Sequence, residues 1–352
     1  MADKVRVLVV DDSALMRQLL SSMMKSDREI EVVGTAPDAL VARQMIKDLN
    51  PDVVTLDVEM PNMSGISFLE KIMKLRPMPV LMISSLTQEG ADVTLEALEL
   101  GAVDYVAKPK IDLQQGLMEK QAEIVQKVKV AARARVRGRA AALAGKAAQT
   151  TVPVGSAGNG RIVAIGASTG GVEALREVLC GLPVDSPPVV VTQHMPADFT
   201  KRFAERLNKL AQVEVQEATD GQRILAGHVY VAPGNRHLEV ARANSNYVCR
   251  LNDAEPVCGH RPSVDVLFRS VATSARAAAI GVLLTGMGKD GAEGLKQIRD
   301  SGGPTIGQNE ATCVVYGMPK AAAALGAIES ELPIERIASA IVDRCHDHQS
   351  LG

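Results

Sequence analysis

Along the first 123 residues, short apolar runs alternate with segments whose apolar positions recur at helical spacing. VRVLVV (5–10), EVVGT (31–35), DVVTLD (52–57), PVLMIS (79–84) and VDYVA (103–107) predict strands. Helical periodicity falls near 14–26, 38–49, 65–75, 90–100 and 112–135. A β-α repeat of this kind predicts a parallel sheet with helices on both faces. In such sheets ligands sit at the carboxyl ends of the strands. The alternation resumes at residue 161, where RIVAIG, PPVVVTQ and AAAIGVLLTG each run into a helical segment. Between roughly 212 and 250 the runs VEVQEA, HVYVAPG, HLEVA and YVCRL read as short strands or a hairpin. Both halves are therefore predicted to be α/β, the second with a parallel sheet and a small β insertion.

The stretch between them breaks the pattern. Residues 124–160 carry seven basic and no acidic side chains, are rich in Ala and Arg and then in Gly, Ser and Pro, and offer few large apolar groups to bury. That is linker composition. It divides the 352 residues into a first domain at 1–123, a linker at 124–160 and a second domain at 161–352. The first part of the linker can extend the preceding helix, and its charge also suits an acidic partner surface.

Composition narrows the function classes. Trp is absent and Tyr and Phe number four each, so the cores are built from aliphatic side chains. A net charge of −2 gives no reason to expect nucleic-acid binding. No apolar run approaches the length of a membrane span, so no direct membrane insertion is expected. Five cysteines without framework spacing read as reduced thiols, and the first residues lack a signal-peptide pattern; both point to a cytoplasmic protein.

Five polar residues of the first domain fall at strand ends. Asp11 and Asp12 follow the first strand, Asp57 ends the third, Ser84 ends the fourth and Lys108 lies just past the fifth. Three convergent carboxylates suit a hard cation such as Mg²⁺. Asp57, ionised, can attack phosphorus, and Ser84 and Lys108 can bind the new phosphoryl oxygens. Ser85 is a rival to Ser84. Any one strand-end acid alone would read as solvated; the set does not.

The second domain carries a different constellation. GASTGG (166–171) places Ser168 between glycines at a strand-to-helix turn, the G-x-S-x-G arrangement of a nucleophile elbow. A glycine turn after a strand also serves as a structural turn or a phosphate cradle, although GxGxxG spacing and a P-loop Lys are both missing. His194 lies just beyond VVVTQ, while His228, His237 and His260 fit surface or core positions better. Asp290, in LLTGMGKDG, reads either as an N-cap for the helix beginning at Gly291 or as the carboxylate orienting His194. Together Ser168, His194 and Asp290 make a plausible triad. Its order, Ser, His, Asp, differs from those of α/β-hydrolases, chymotrypsin and subtilisin.

VLVVDDS, LDVEMPNMSG, ISS and DYVAKPK resemble the receiver domain of two-component response regulators, over about residues 4–123. The resemblance implies a doubly wound flavodoxin-like fold and phosphorylation of Asp57 by a chemotaxis histidine kinase. It also implies Mg²⁺ held by Asp12 and Asp57, with Asp11 assisting and the Glu59 carbonyl contributing, and a switch pair of Ser84 and Tyr105. GASTGG, TQHMP, YVAPG, HRPSVD and TGMGKDG resemble the catalytic domain of the chemotaxis protein-glutamate methylesterases, over most of 161–345. That implies a serine hydrolase acting on γ-glutamyl methyl esters, and on Gln amides, of the cytoplasmic domains of methylated chemoreceptors. The oxyanion would be held by backbone N–H groups of Thr169 and Met287, with no cofactor in this domain. Fusion to a receiver implies that phosphorylation of Asp57 gates the Ser168 site.

Overall fold

The computed structural model describes residues 4–85, 88–108, 121–134, 136 and 160–346. They fall into two compact units, divided between Lys146 and Ala147.

In the first unit, β1 (Val5–Val10), β2 (Ile30–Ala36), β3 (Val53–Asp57), β4 (Val80–Ser85) and β5 (Asp104–Lys108) form a sheet in the order β2-β1-β3-β4-β5. Every pairing is parallel. This is the doubly wound flavodoxin-like order. The helices are α1 (Ala14–Lys25), α2 (Ala39–Leu49), α3 (Gly65–Leu75), α4 (Gln88–Glu99) and α5 (Gln121–Ala132). Ser13, Asp38 and Ser64 cap the first three by accepting hydrogen bonds from first-turn N–H groups. Central strands β1 and β3 are apolar and buried on both faces, which is why they read as continuous runs.

Helix α5 runs across residue 123, so the first part of the linker extends the helix that precedes it. Ile124, Val125, Val128 and Ala131 are buried, so the stretch taken as the start of the linker is the core-facing side of α5. The basic charge there sits on the other positions: Lys127 pairs with Asp104 and Lys129 with Asp27 and Glu29. The helical periodicity over 112–120 and most of the Gly/Ser/Pro linker lie outside the described residues.

The second unit is built on a seven-stranded sheet. Its strands are β6 (Ile162–Ala167), β7 (Val189–Gln193), β8 (Glu214–Glu217), β9 (His228–Val231), β12 (Ala279–Leu283), β13 (Thr305–Gln308) and β14 (Ser330–Leu332). They pair in parallel in the order β14-β13-β12-β6-β7-β9-β8. A separate antiparallel hairpin joins β10 (His237–Ala243) to β11 (Asn246–Asn252). The helices are α6 (Gly171–Cys180), α7 (Ala197–Leu210), α8 (Val264–Ala275), α9 (Ala292–Asp300), α10 (Met318–Ala324) and α11 (Ile334–His346).

The β insertion is thus smaller than the sequence suggests. VEVQEA and HVYVAPG become β8 and β9 at the edge of the main sheet; only HLEVA and YVCRL form the hairpin. Leu238, Val240 and Cys249 of that hairpin pack with Val264, Phe268 and Val271 of α8. From β6 the chain first adds β7 on one side and later β12 on the other. The carboxyl end of β6 is therefore the topological switch point, where α/β sheets bind ligands.

Candidate active site and phosphoacceptor pocket

Ser168 leaves β6 in a tight turn. The Gly171 N–H donates to the Ser168 carbonyl at 2.7 Å, and Gly170 between them adopts φ 77°, ψ 0°. This is the second corner of a type II turn, where a residue with a side chain is strained. The Ser168 N–H donates to the Thr285 carbonyl, and the Thr285 hydroxyl donates to the Thr169 carbonyl at 3.0 Å. Gly286 presses on the other side: a Cβ there would stand 2.8 Å from that of Ser168. The two glycine-rich segments GASTGG and TGMG are therefore one packed unit behind Ser168.

His194 follows β7, and its N–H donates to the carbonyl of Ala167. Its ring bridges the site: Nδ1 lies 3.1 Å from Ser168 Oγ and Nε2 lies 2.8 Å from Asp290 Oδ2. An ionised carboxylate at Nε2 requires the proton there, which leaves the Nδ1 lone pair to accept from the serine hydroxyl. In the serine-protease arrangement the two ring nitrogens are used the other way round. The His194 side chain is 7 % exposed, so its ring is mostly shielded from water.

Asp290 is not the N-cap of the following helix. Gly291 holds that place in front of α9, without a side-chain cap. Its carboxylate reaches instead to the N-terminus of α8. Oδ1 accepts from Ser263 Oγ at 2.8 Å and Asp265 N at 3.1 Å; Oδ2 accepts from Val264 N at 2.7 Å as well as from His194. Burial alone would push this carboxyl up. The bonds from His194 and from the Val264 and Asp265 amides outweigh it and hold the pKa below the usual carboxylate value. HRPSVD is the segment that anchors the acid, a role invisible without the contact.

His260 lies against His194. Its ring stacks on that of His194, with centroids 3.7 Å apart and planes within 10°. His237 is a core residue, fully buried and accepting from the Ser263 N–H. His228 sits at the surface beside Glu214. Thr169 is buried and Met287 half-buried, both on segments flanking Ser168.

The first unit brings together the residues singled out at its strand ends. Asp57 pairs in register with Ile83, and Ser84 with Ala107, so neighbouring strands end side by side. Ligand atoms of Asp11, Asp12 and Asp57 lie within 4.8 Å of one another. Lys108 Nζ stands 2.8 Å from Asp57 Oδ1 and 3.3 Å from Asp11 Oδ2. Burial pushes the Asp57 carboxyl up to about 6, against the pull of the Lys108 hydrogen bond and with a further push from Asp11. Asp11 is also raised, by burial first. Burial lowers Lys108, but Asp57 and Asp11 outweigh it and raise the ammonium pKa. Two buried carboxylates and an exposed third, all oxygen donors, fit a divalent cation. Glu59 is exposed, and its N–H donates to Asp57. Tyr105 is buried, with Lys127 Nζ 5.2 Å from its ring centroid. Thr94 Oγ1 lies 2.6 Å from Ser84 Oγ and 2.6 Å from the Gly90 carbonyl, a contact with no local signal in the chain. Ser85 follows Ser84 and pairs in register with Lys108. Among the described residues no helix is long and apolar enough to cross a membrane.

Comparison with known proteins agrees with this division. The response regulator receiver domain model matches residues 7–118, and the CheB methylesterase model matches residues 163–341. The Pseudomonas aeruginosa protein-glutamate methylesterase/protein-glutamine glutaminase 2 is 56% identical over 340 residues, covering 97% of each chain. The Salmonella typhimurium protein-glutamate methylesterase/protein-glutamine glutaminase is 52% identical over 349 residues, covering 99% of each. The crystal structure of the Thermotoga maritima CheB methylesterase catalytic domain superposes with a TM-score of 0.52 at 37% identity, covering 54% of this chain and all of that one. With both family models matched and relatives this similar over their whole length, the chain belongs to the CheB methylesterase family, behind a response regulator receiver domain.

Proposed function

We propose that this protein is a phosphorylation-activated serine hydrolase that demethylates γ-glutamyl methyl esters on the cytoplasmic domains of chemoreceptors. The hydrogen-bonded chain Ser168–His194–Asp290, at the switch point of a parallel sheet, is the observation that carries the reading. Ser168 Oγ attacks the ester carbonyl carbon while its proton passes to His194 Nδ1. The carbonyl electron pair becomes an oxyanion, held by the N–H groups of Thr169 and Met287. Collapse breaks the bond to methoxide, which takes the proton from Nδ1 and leaves as methanol. Water then attacks the acyl-enzyme, giving its proton to Nδ1; the bond to Ser168 Oγ breaks, Oγ takes that proton back, and the product is a receptor glutamate. Asp290 holds the proton on Nε2 throughout and stabilises the imidazolium. A glutamine amide follows the same path and releases ammonia, as the names of the relatives indicate for them.

In the receiver, Asp57 accepts a phosphoryl group from a phosphohistidine of the chemotaxis kinase: a P–O bond forms and the P–N bond breaks. Asp11, Asp12 and Asp57, with the Glu59 carbonyl, would hold Mg²⁺, whose charge offsets the phosphoryl oxygens. Lys108 and Ser84 bind those oxygens, and Ser84 with Tyr105 reports the change. Such a protein works in the cytoplasm. The test is methanol release from methylated receptor fragments by the wild type and Ser168→Ala, each with and without a small phosphodonor and Mg²⁺. Release that needs Ser168 and rises with phosphodonor is expected. Release indifferent to Ser168 refutes the hydrolase assignment, and release indifferent to phosphodonor refutes the gating.

A further inference from the structure

Between the nucleophile and the base lies Gln193, the last residue of β7, buried and not used by the chemistry above. Its Nε2 donates to the Ser168 carbonyl at 3.0 Å and to the His194 carbonyl at 3.3 Å. Its Oε1 is buried and has no hydrogen-bond partner. The reverse amide orientation is worse, because it would set Oε1 against two carbonyl oxygens. The amide therefore uses both N–H bonds on two backbone carbonyls and leaves its own acceptor unpaired, at a cost in stability. Oε1 faces Gly171, where a Cβ would stand 2.1 Å away, so the close fit depends on that glycine.

The consequence lies in the Ser168–Thr169 peptide. It is planar and trans, so the Ser168 carbonyl and the Thr169 N–H point in opposite directions. Fixing one fixes the other. The turn bond from Gly171 reaches the Ser168 carbonyl from along the chain, and Gln193 reaches it from the neighbouring strand. Resting on the reading of Thr169 as an oxyanion donor, we propose that Gln193 is a positioning residue that aims the Thr169 N–H at the oxyanion by clamping the Ser168 carbonyl behind it. A peptide free to rock by a few tens of degrees would move its N–H off the oxygen, and misplacement on the order of 1 Å costs about 100-fold in rate.

Gln193→Met removes both donors at similar volume. Gln193→Leu also removes both donors and brings no charge beside His194, so a folding defect in the first variant leaves the second to decide. Both are compared with wild type in the full chain, after matching their melting profiles. Turnover of methylated receptor fragments is expected to lose about 10–100-fold in kcat, with KM within about twofold. The acid limb of the pH profile, which reports the base, stays in place. The second readout uses a peptide bearing a trifluoromethyl ketone in place of the γ-ester. Ser168 Oγ bonds to the ketone carbon, its proton passes to His194, and the carbonyl pair becomes a stable oxyanion whose protonation ¹⁹F NMR follows. Wild type should keep that oxyanion ionised to low pH, and each variant should raise its pKa by about 1–2, the equivalent of the rate loss.

A wild-type oxyanion held at low pH and unchanged in both variants overturns the role of Gln193 and leaves the oxyanion site standing. A wild-type adduct with no such stabilisation removes the oxyanion reading, and the proposal with it. A displaced acid limb shows that Gln193 acts through the His194 carbonyl and the base, which also overturns the proposal.

Discussion

Asp290 makes four contacts, and only one of them is with the base. Replacing it by alanine should therefore damage two properties that are separable by a control. The Val264 and Asp265 N–H groups at the start of α8 lose their buried acceptor. An unsatisfied buried N–H costs about 1–3 kcal/mol, and removing one partner of a buried charged pair costs about 3–5 kcal/mol in all. For a domain of this size that is a drop of about 6–20 °C in melting temperature. Ser168→Ala removes a half-buried hydroxyl and should change stability by less than about 0.5 kcal/mol. Calorimetry of the full chain should thus lower the catalytic-unit transition for Asp290→Ala and spare it for Ser168→Ala. Methanol release should fall about 1,000-fold or more in both. Asp290→Asn lies between them. Its oxygen can still face Val264 N and His194 Nε2, and its amide can face Ser263 Oγ, which turns to accept. Only the Asp265 N–H is then opposed by a donor. Because the Asp290 pKa is depressed in the fold, its charge contributes fully above the unfolded value near 3.9 and is lost as pH falls through the lower folded value. The stability gap between wild type and Asp290→Asn should accordingly hold at neutral pH and narrow only below about pH 4. Equal melting temperatures for Asp290→Ala and Ser168→Ala would refute the anchoring of α8 by this carboxylate.

Chelation of divalent cations should abolish stimulation by phosphodonor and leave Ser168-dependent basal release unchanged; a matching loss of basal release would place the metal requirement in the wrong domain. His260→Phe keeps an aromatic ring against His194 and should retain most activity, whereas His260→Ala should lower kcat by about 2–10-fold, the worth of a stacked pair; equal rates for the two variants would show the stack to be incidental. Thr94→Val is isosteric and removes the hydroxyl that donates to Ser84 Oγ. It should lower the phosphodonor concentration needed for half-maximal stimulation by about 2–10-fold, the worth of one hydrogen bond, and an unchanged titration would remove Thr94 from the switch.

The parts of this site that could be read from the chain share one property: they follow from position relative to a strand. Asp11, Asp57, Lys108, Ser168 and His194 each stand at a carboxyl end, and in a parallel sheet all those ends lie on one side. What could not be read depends on which strand neighbours which. The bond from the Val264 N–H to Asp290 joins the start of α8 to the loop after β12, with all of α8 and β12 between them in the chain. Local propensity therefore offered Asp290 the wrong helix to cap. His260 closes a two-residue turn with Val257 through reciprocal bonds, and nothing in its own neighbourhood signals an imidazole partner from the loop after β7. The helix that crosses residue 123 is hard to bound from composition for a related reason. Lys and Arg dominate the composition beyond it, while four small or β-branched side chains of α5 supply the buried face. Charge describes the solvent side of such a helix and is silent about the other. The type II turn shows the converse. Gly170 could be recognised as permissive in sequence, but the reason for the arrangement lies in Thr285, Gly286 and Gln193, three residues that close on the turn from two neighbouring strands. A glycine turn of this kind is thus a local motif whose aim is set by its neighbours, and here GASTGG is enclosed by TQH and TGMG.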